Sequence, residues 1–105
     1  MKKFNKKQVT ELKKHFDIYE DEDIIQLENW TGGGVDMVVY INKNAKIDHL
    51  QQFKNFIDNF DIDEEIEIHR QDKQYKNDFT ISEGIEDFTN YLNELKKIYN
   101  IIKEN

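Results

Sequence analysis

Apolar and polar residues follow regular patterns along the first part of the chain. Apolar residues recur every three or four positions up to Phe16, which predicts a short helix with Asn5 as its N-cap. Strict alternation over Asp23 to Trp30, and again over Val35 to Ile41, predicts two strands. Glycines 32–34 between them permit a tight reversal, so we expect an antiparallel hairpin.

Helical and alternating patterns also divide the second half of the chain. Apolar steps of three and four residues from Ile47 to Phe60 predict an amphipathic helix that Asn44 caps. Alternation over Glu64 to Arg70 predicts a third, half-exposed strand. The longest periodic stretch predicts a helix from about Glu83 to Lys103. The main apolar stripe of this helix, which is expected to face the core, consists of Ile85, Phe88, Leu92, Leu95, Tyr99 and Ile102. Three further residues are expected to form apolar surface outside its main stripe: Tyr91, Ile98 and Ile101.

These elements together predict the fold class. Their order is α-β-β-α-β-α, which indicates a small two-layer α+β domain with helices packed on an antiparallel hairpin and a third strand. The chain has 105 residues, and its patterns show no repeat or linker. We therefore expect residues 1–105 to form a single domain.

Composition excludes several functional classes. The chain has no Cys, which excludes a disulfide scaffold, a thiolate metal site and a cysteine nucleophile. It has no apolar run of about 18 residues, and its basic start has no hydrophobic stretch behind it, so neither a membrane span nor a signal peptide is expected. A cytoplasmic location is the resulting expectation.

Catalytic and metal-binding signatures are weak. The three histidines are isolated from one another, which favours exposed or ordinary structural roles for His15, His49 and His69. Ser82 is the only serine and lies at a predicted helix start rather than in a nucleophile elbow. Asp61, Asp63 and Glu65 have the first spacing of a calcium loop, but the required glycine is replaced by an isoleucine. We therefore expect no cofactor, no metal and no enzymatic activity.

Acidic residues give the chain its most distinctive chemistry. The net charge is -7, but residues 1–16 carry +5 while residues 17–69 carry -11. Two acidic groups and one tryptophan are the candidate partner-binding residues: Asp58, Asp61, Asp63, Glu64, Glu65 and Glu67; Glu20, Asp21, Glu22 and Asp23; and Trp30. If the two groups share a face, they resemble nucleic-acid phosphates and attract a basic groove. The alternative is a solvated edge that keeps the protein soluble and protects an edge strand.

Three segments resemble known proteins: residues 27–37 (LENWTGGGVDM), residues 60–66 (FDIDEEI) and residues 70–76 (RQDKQYK). They look like small acidic proteins carried by phages and mobile elements of low-GC Gram-positive bacteria. In size and acidity the chain is similar to anti-CRISPR and antirestriction proteins, many of which bind host defence nucleases directly. The resemblance implies an inhibitor that binds a protein partner, and it carries over no active-site residue.

Three functions remain open at this point. The first is a non-enzymatic inhibitor that occupies the nucleic-acid groove of a host defence nuclease such as a CRISPR effector, with no direct contact to nucleic acid or membrane. The second is a structural or regulatory accessory protein that forms a homodimer through the apolar surface of its last helix. The third is a small hydrolase or metal-dependent nuclease that uses the carboxylates.

Overall fold

The computed structural model describes residues 2–31, 35–71 and 81–105, with side chains described in these ranges except at 30–31, 35–37, 69–71 and 81–83. These residues form four helices and one three-stranded antiparallel sheet with the order β1-β2-β3. The elements in chain order are α1 (Lys6–Lys13), β1 (Asp17–Glu20), β2 (Ile24–Thr31), β3 (Val35–Asn42), α2 (His49–Asp58), α3 (Ile62–Gln71) and α4 (Ile81–Ile102).

The α+β fold class is confirmed, but the third strand lies elsewhere than predicted. The observed order is α-β-β-β-α-α-α, because Asp17–Glu20 pairs with β2 and the predicted strand over residues 64–70 is part of helix α3. The Asp61 carboxylate accepts a hydrogen bond from the Glu64 amide at 3.1 Å, as an N-cap does. Acidic residues fill the first turn of α3, where the helix dipole favours negative charge.

The first helix and the hairpin confirm the sequence prediction. Asn5 caps α1, and its side chain and that of Gln8 each accept the other's backbone amide in a capping box, at 2.8 and 2.9 Å. Strands β2 and β3 pair in antiparallel register from Ile24 opposite Asn42 to Thr31 opposite Val35. The predicted glycine turn, residues 32–34, lies outside the described residues.

Helix α2 begins later than the sequence predicted. Its N-cap is Asp48, so Asn44 does not cap it, and Ile47 lies before the helix with 45% of its surface exposed. The Asn44 side chain instead donates to the Asp23 carboxylate at 2.7 Å. Asn44 therefore holds the end of β3 against the β1–β2 turn.

The core lies between one face of the sheet and the helices, with α4 as its longest contributor. Five α4 residues are buried in it: Phe88, Tyr91, Leu95, Ile98 and Ile102. Tyr91 and Ile98 were predicted to lie on the surface, outside the core-facing stripe of α4. Because both are buried, the face of α4 that contacts the core is rotated towards them relative to the predicted face. Ile85, predicted to face the core, is 46% exposed, and Ile101 remains exposed.

The first and last helices meet on one side of the molecule. The Gln8 side chain donates to the Ile102 carbonyl at 3.0 Å, and the Asn5 side chain donates to the Asn105 carbonyl at 2.9 Å. Within the described part of the chain, none of the helices combines the length and the apolar character needed to cross a membrane.

Candidate functional site

Helix α3 displays the first of the two predicted acidic groups. Its exposed acidic side chains are Asp63, Glu64 and Glu67, which we call the α3 carboxylates. Ile66 of the same helix is buried in the core. Among the described residues, the side chains of Asp63 and Glu64 make no hydrogen bond or ion pair, so they are available to a partner.

The other members of this group have local contacts. Asp61 caps α3, and Asp58 at the end of α2 forms an ion pair with Lys54 at 3.5 Å. Glu65 is half-buried and lies close enough to Tyr91 for its charge to act on the phenol. Burial, and secondarily this carboxylate, raise the pKa of Tyr91 well above its usual value, so the phenol remains protonated.

The second predicted acidic group forms the β1–β2 turn, and most of it serves the fold. The Asp21 carboxylate accepts hydrogen bonds from the amides of Asp23 and Ile24, both at 2.7 Å, and these bonds lower the pKa of Asp21. The Glu20 carboxylate forms an ion pair with Lys43. Glu22 is exposed at the tip of the turn. The carboxylates of this turn are therefore largely engaged in shaping it.

The structure separates the two acidic groups along helix α2. The β1–β2 turn is bonded to Lys43, which directly follows β3, and Asn42 is bonded in turn to Gln52 in the first half of α2. Asp58 and α3 follow the other end of this 10-residue helix, which is about 15 Å long. The two acidic groups therefore lie towards opposite ends of α2.

Basic residues gather at the N-terminal end of α2, away from α3. The Lys2 amide donates to Asp48 at 2.9 Å and the Lys2 carbonyl accepts from the His49 amide at 3.0 Å, which fixes the N-terminal segment there. A depression of about 480 Å³ nearby is lined by Lys2, Lys3 and Lys103. The molecule is therefore polarised, with lysines at one end of α2 and the α3 carboxylates beyond the other.

The outer face of the sheet is an exposed surface that the sequence did not single out. Tyr19, Gln26 and Tyr40 lie side by side across β1, β2 and β3. The two tyrosines are 56% and 60% exposed, so no described helix covers this row. The signal in the sequence was the polar side of the strand alternation, but Tyr19 lay in a segment that was not recognised as a strand.

Trp30 lies near the far end of strand β2. It lies opposite Asp36 in the β2–β3 register, four positions along the strand from Gln26 and its partner Tyr40. Its side chain lies outside the described residues, so its predicted role as a partner anchor stays a prediction.

A cavity of about 170 Å³ lies between α1, the inner face of the sheet and the start of α2. Six apolar residues line it: Phe4, Val9, Leu12, Ile18, Ile25 and Leu27. Four polar residues complete the lining: Lys3, Glu20, Lys43 and His49. Sequence reasoning missed this cavity, because its lining residues come from elements that are distant along the chain.

His49 is the buried polar residue of this cavity, with 2% of its surface exposed. The backbone amide of Phe4 donates to its Nδ1 at 3.3 Å, and the Phe4 ring meets the imidazole edge-on with 5.3 Å between centroids. Among the described residues, its Nε2 has no hydrogen-bond partner. Burial, reinforced by the charges of Lys3 and Lys43, lowers the pKa of His49 below 6.5, so the ring is neutral at pH 7.

Within the described ranges, no three His, Cys, Asp or Glu side chains come together in a way that could hold a metal ion. No protein-family model, curated protein or solved structure matches this chain.

Proposed function

We propose that this chain is a non-enzymatic inhibitor that binds a nucleic-acid-handling defence nuclease, such as a CRISPR effector or a restriction enzyme, and occupies its basic groove. The observation that carries the proposal is the exposure of the α3 carboxylates on a helix remote from the N-terminal lysines. The resemblance to small acidic proteins of phages and mobile elements supports the choice of partner.

The charge pattern of α3 suits such a groove. Successive helical turns rise about 5.4 Å, so the α3 carboxylates extend negative charge along the helix axis over roughly one turn. A groove that accommodates DNA or RNA is built for closely spaced negative charge. Complementary charges of this kind accelerate association and make affinity dependent on salt.

The separation of the two acidic groups narrows the proposed interface. Glu20, Asp21 and Asp23 have partners within the fold. Asp63 and Glu64 have none among the described residues, so we centre the contact on these two side chains of α3 and not on the β1–β2 turn. The exposed row of Tyr19, Gln26 and Tyr40 is a further contact surface, since tyrosines are enriched among interface residues with large binding contributions.

A charge-reversal pair tests the proposal. The test variant is D63K/E64K/E67K, and the matched control is E22K/E86K/E104K, which changes three exposed acids elsewhere by the same total charge. Tagged wild-type protein is first used to capture host nucleases from lysate at about 50 mM and about 500 mM NaCl. The captured nuclease is then purified and its DNA or RNA cleavage is measured with increasing inhibitor.

We expect the wild type and the control to inhibit cleavage at low salt, and the α3 variant to require about 100-fold more protein. Circular dichroism should show that all three proteins are folded, because the replaced side chains are exposed. Equal inhibition by wild type and the α3 variant would contradict the proposed site. Failure to retain or inhibit any nucleic-acid-handling protein at low salt would contradict the proposed function.

A further inference from the structure

We infer that the cavity between α1, the sheet and the start of α2 is a binding site for a small apolar monocarboxylate, such as an aromatic or short-chain acid. This site is separate from the α3 carboxylates, and the inference does not depend on the proposed function. The argument rests on the size of the cavity, its apolar walls and the chemistry of its polar residues.

The size of the cavity limits the ligand. A cavity of about 150 Å³ with apolar walls is known to bind benzene. This cavity measures about 170 Å³, which leaves room for one small ring or a short alkyl chain and a single polar group. Phe4 from the N-terminal segment, Val9 from α1 and Ile18 from β1 contribute apolar walls. Burying a hydrocarbon group against them provides the main driving force.

His49 supplies a hydrogen-bond donor at this site. Its Nδ1 accepts a hydrogen bond from the Phe4 amide and therefore carries no hydrogen, which leaves the hydrogen of the neutral ring on Nε2. This Nε2–H group is buried and has no acceptor among the described residues. A buried donor without an acceptor is costly, and the imidazole lines the cavity, so a ligand oxygen that displaces the neighbouring side chains and accepts from it gains affinity.

The charges around the cavity favour an anionic oxygen over a neutral one. Lys3 and Lys43 line the cavity with positive charge, and Glu20 is the only acidic lining residue. Glu20 is already paired with Lys43, so Lys3 remains as the cation for a ligand. Lys3 and Lys43 both lower the pKa of His49, against the opposing effect of Asp48 and Glu20, so positive charge lies close to the imidazole. A carboxylate satisfies both the donor and this field.

Calorimetry with benzoate tests the inference on the full chain. Benzoate is compared with benzamide, which keeps the ring but has no charge, and with acetate, which keeps the charge but has almost no apolar surface. We expect benzoate to bind with a dissociation constant below about 1 mM, and benzamide and acetate to bind at least 10-fold more weakly. Amide NMR shifts should locate benzoate at Phe4, Ile25 and His49.

Three variants assign the binding to the cavity. Lys3→Met should weaken benzoate about 5-fold or more, whereas the matched control Lys6→Met should leave it unchanged, since Lys6 is exposed and does not line the cavity. Val9→Phe should abolish binding by filling the cavity. His49→Phe should weaken benzoate about 10-fold by removing the donor. If the His49 variant fails to fold, the comparison of Lys3→Met with Lys6→Met still tests whether benzoate binds in the cavity.

Two results would overturn the inference. Absence of benzoate binding by calorimetry and NMR would show that the cavity is not a site for such acids. Equal binding of benzoate and benzamide, unaffected by Lys3→Met, would show an apolar cavity with no preference for a carboxylate. Neither result bears on nuclease inhibition through α3, so the two proposals fail independently.

Discussion

At the scale of single residues, His49 connects the N-terminal segment to the start of helix α2. Its backbone amide donates to the Lys2 carbonyl, and its ring accepts from the Phe4 amide. The ring is also buried, so folding favours its neutral form. Isolation from other histidines favoured an exposed or ordinary structural role for it, and its burial, which depends on residues 45 positions away, was not predictable from spacing.

This burial makes the stability of the fold depend on pH. The pKa of His49 is lower in the folded state than its ordinary value of 6.5, so the unfolded chain takes up the proton first as pH falls. Lys3 and Lys43 lower this pKa while Asp48 and Glu20 oppose them. We therefore expect the free energy of unfolding to be fully maintained above pH 6.5 with respect to His49. It should decrease progressively as the pH falls below 6.5.

Urea unfolding at about pH 7.5 and about pH 5.5 measures this effect. The wild type should unfold at a lower urea concentration at the acidic pH, and His49→Gln should show a smaller difference between the two conditions. The same pH dependence in both proteins would show that another group is responsible.

Asn5 is a second residue whose role follows from its contacts. It caps α1 and also donates to the Asn105 carbonyl. Asn5→Ala should lower the free energy of unfolding by about 1 kcal/mol, because Ala offers no oxygen to the Gln8 amide. Asn100→Ala, at an exposed position of α4, is the control and should change stability by less than about 0.5 kcal/mol. Equal effects in thermal unfolding would argue against the capping role.

At the scale of elements, residues 62–71 show how two periodicities compete in one short segment. Ile66 and Ile68 alternate with charged residues, which is the pattern of a half-buried strand. The same segment has Asp61 at a capping position and three acids in the next turn, which is the pattern of a helix start. Helix formation prevails, and Ile62 and Ile66, four residues apart, contact the core.

Two alanine substitutions distinguish the helix from a strand. In a strand Ile66 and Ile68 share a face, whereas here their exposed fractions are 6% and 53%. Ile66→Ala should therefore cost about 2–4 kcal/mol of unfolding free energy, and Ile68→Ala less than about 0.5 kcal/mol. Similar losses in urea unfolding would contradict the helical assignment.

The remaining elements show which features local patterns determine. The cap at Asn5 and the β2–β3 alternation are local and were predicted correctly. Strand β1 has only four residues, and its place at the sheet edge depends on pairing with β2, so no periodicity identified it. The face of α4 was misjudged because several apolar stripes fit its sequence, and packing against α1, α2 and α3 selected Tyr91 and Ile98.

The candidate site likewise combines features that the local sequence determines with features that depend on tertiary packing. The α3 carboxylates could be selected from the sequence, because they lie close together in one acidic segment. Their separation from the β1–β2 turn depends on the direction of α2, which spacing does not determine. The cavity at His49 is assembled from three elements and has no sequence motif.

At the scale of the whole molecule, the burial of Tyr91 and Ile98 bears on self-association. These two residues formed most of the apolar surface expected to support a homodimer, and only Ile101 of the three remains exposed, at 42%. An apolar patch this small is common on monomers. We expect light scattering at about 100 µM to give a mass near the monomer value of 12.7 kDa.

A doubled mass would contradict this expectation and would support the alternative function of a homodimeric accessory protein. Ile101→Glu would then test the interface, because it introduces a charge at the exposed α4 position without changing the core. Conversion to the monomer mass would assign the dimer to α4. Retention of the doubled mass would point to another surface, such as the uncovered tyrosine row of the sheet.

The contact between α1 and α4 allows the chain to be circularly permuted. Since Asn5 and Asn105 are joined by a 2.9 Å hydrogen bond, a short glycine-rich linker would connect residues 105 and 2 without stretching the backbone. New ends could then be opened at Lys46, an exposed position between β3 and α2. Such a circular permutant would keep every contact of the core, and the same geometry would let the whole domain be inserted into a surface loop of a carrier protein.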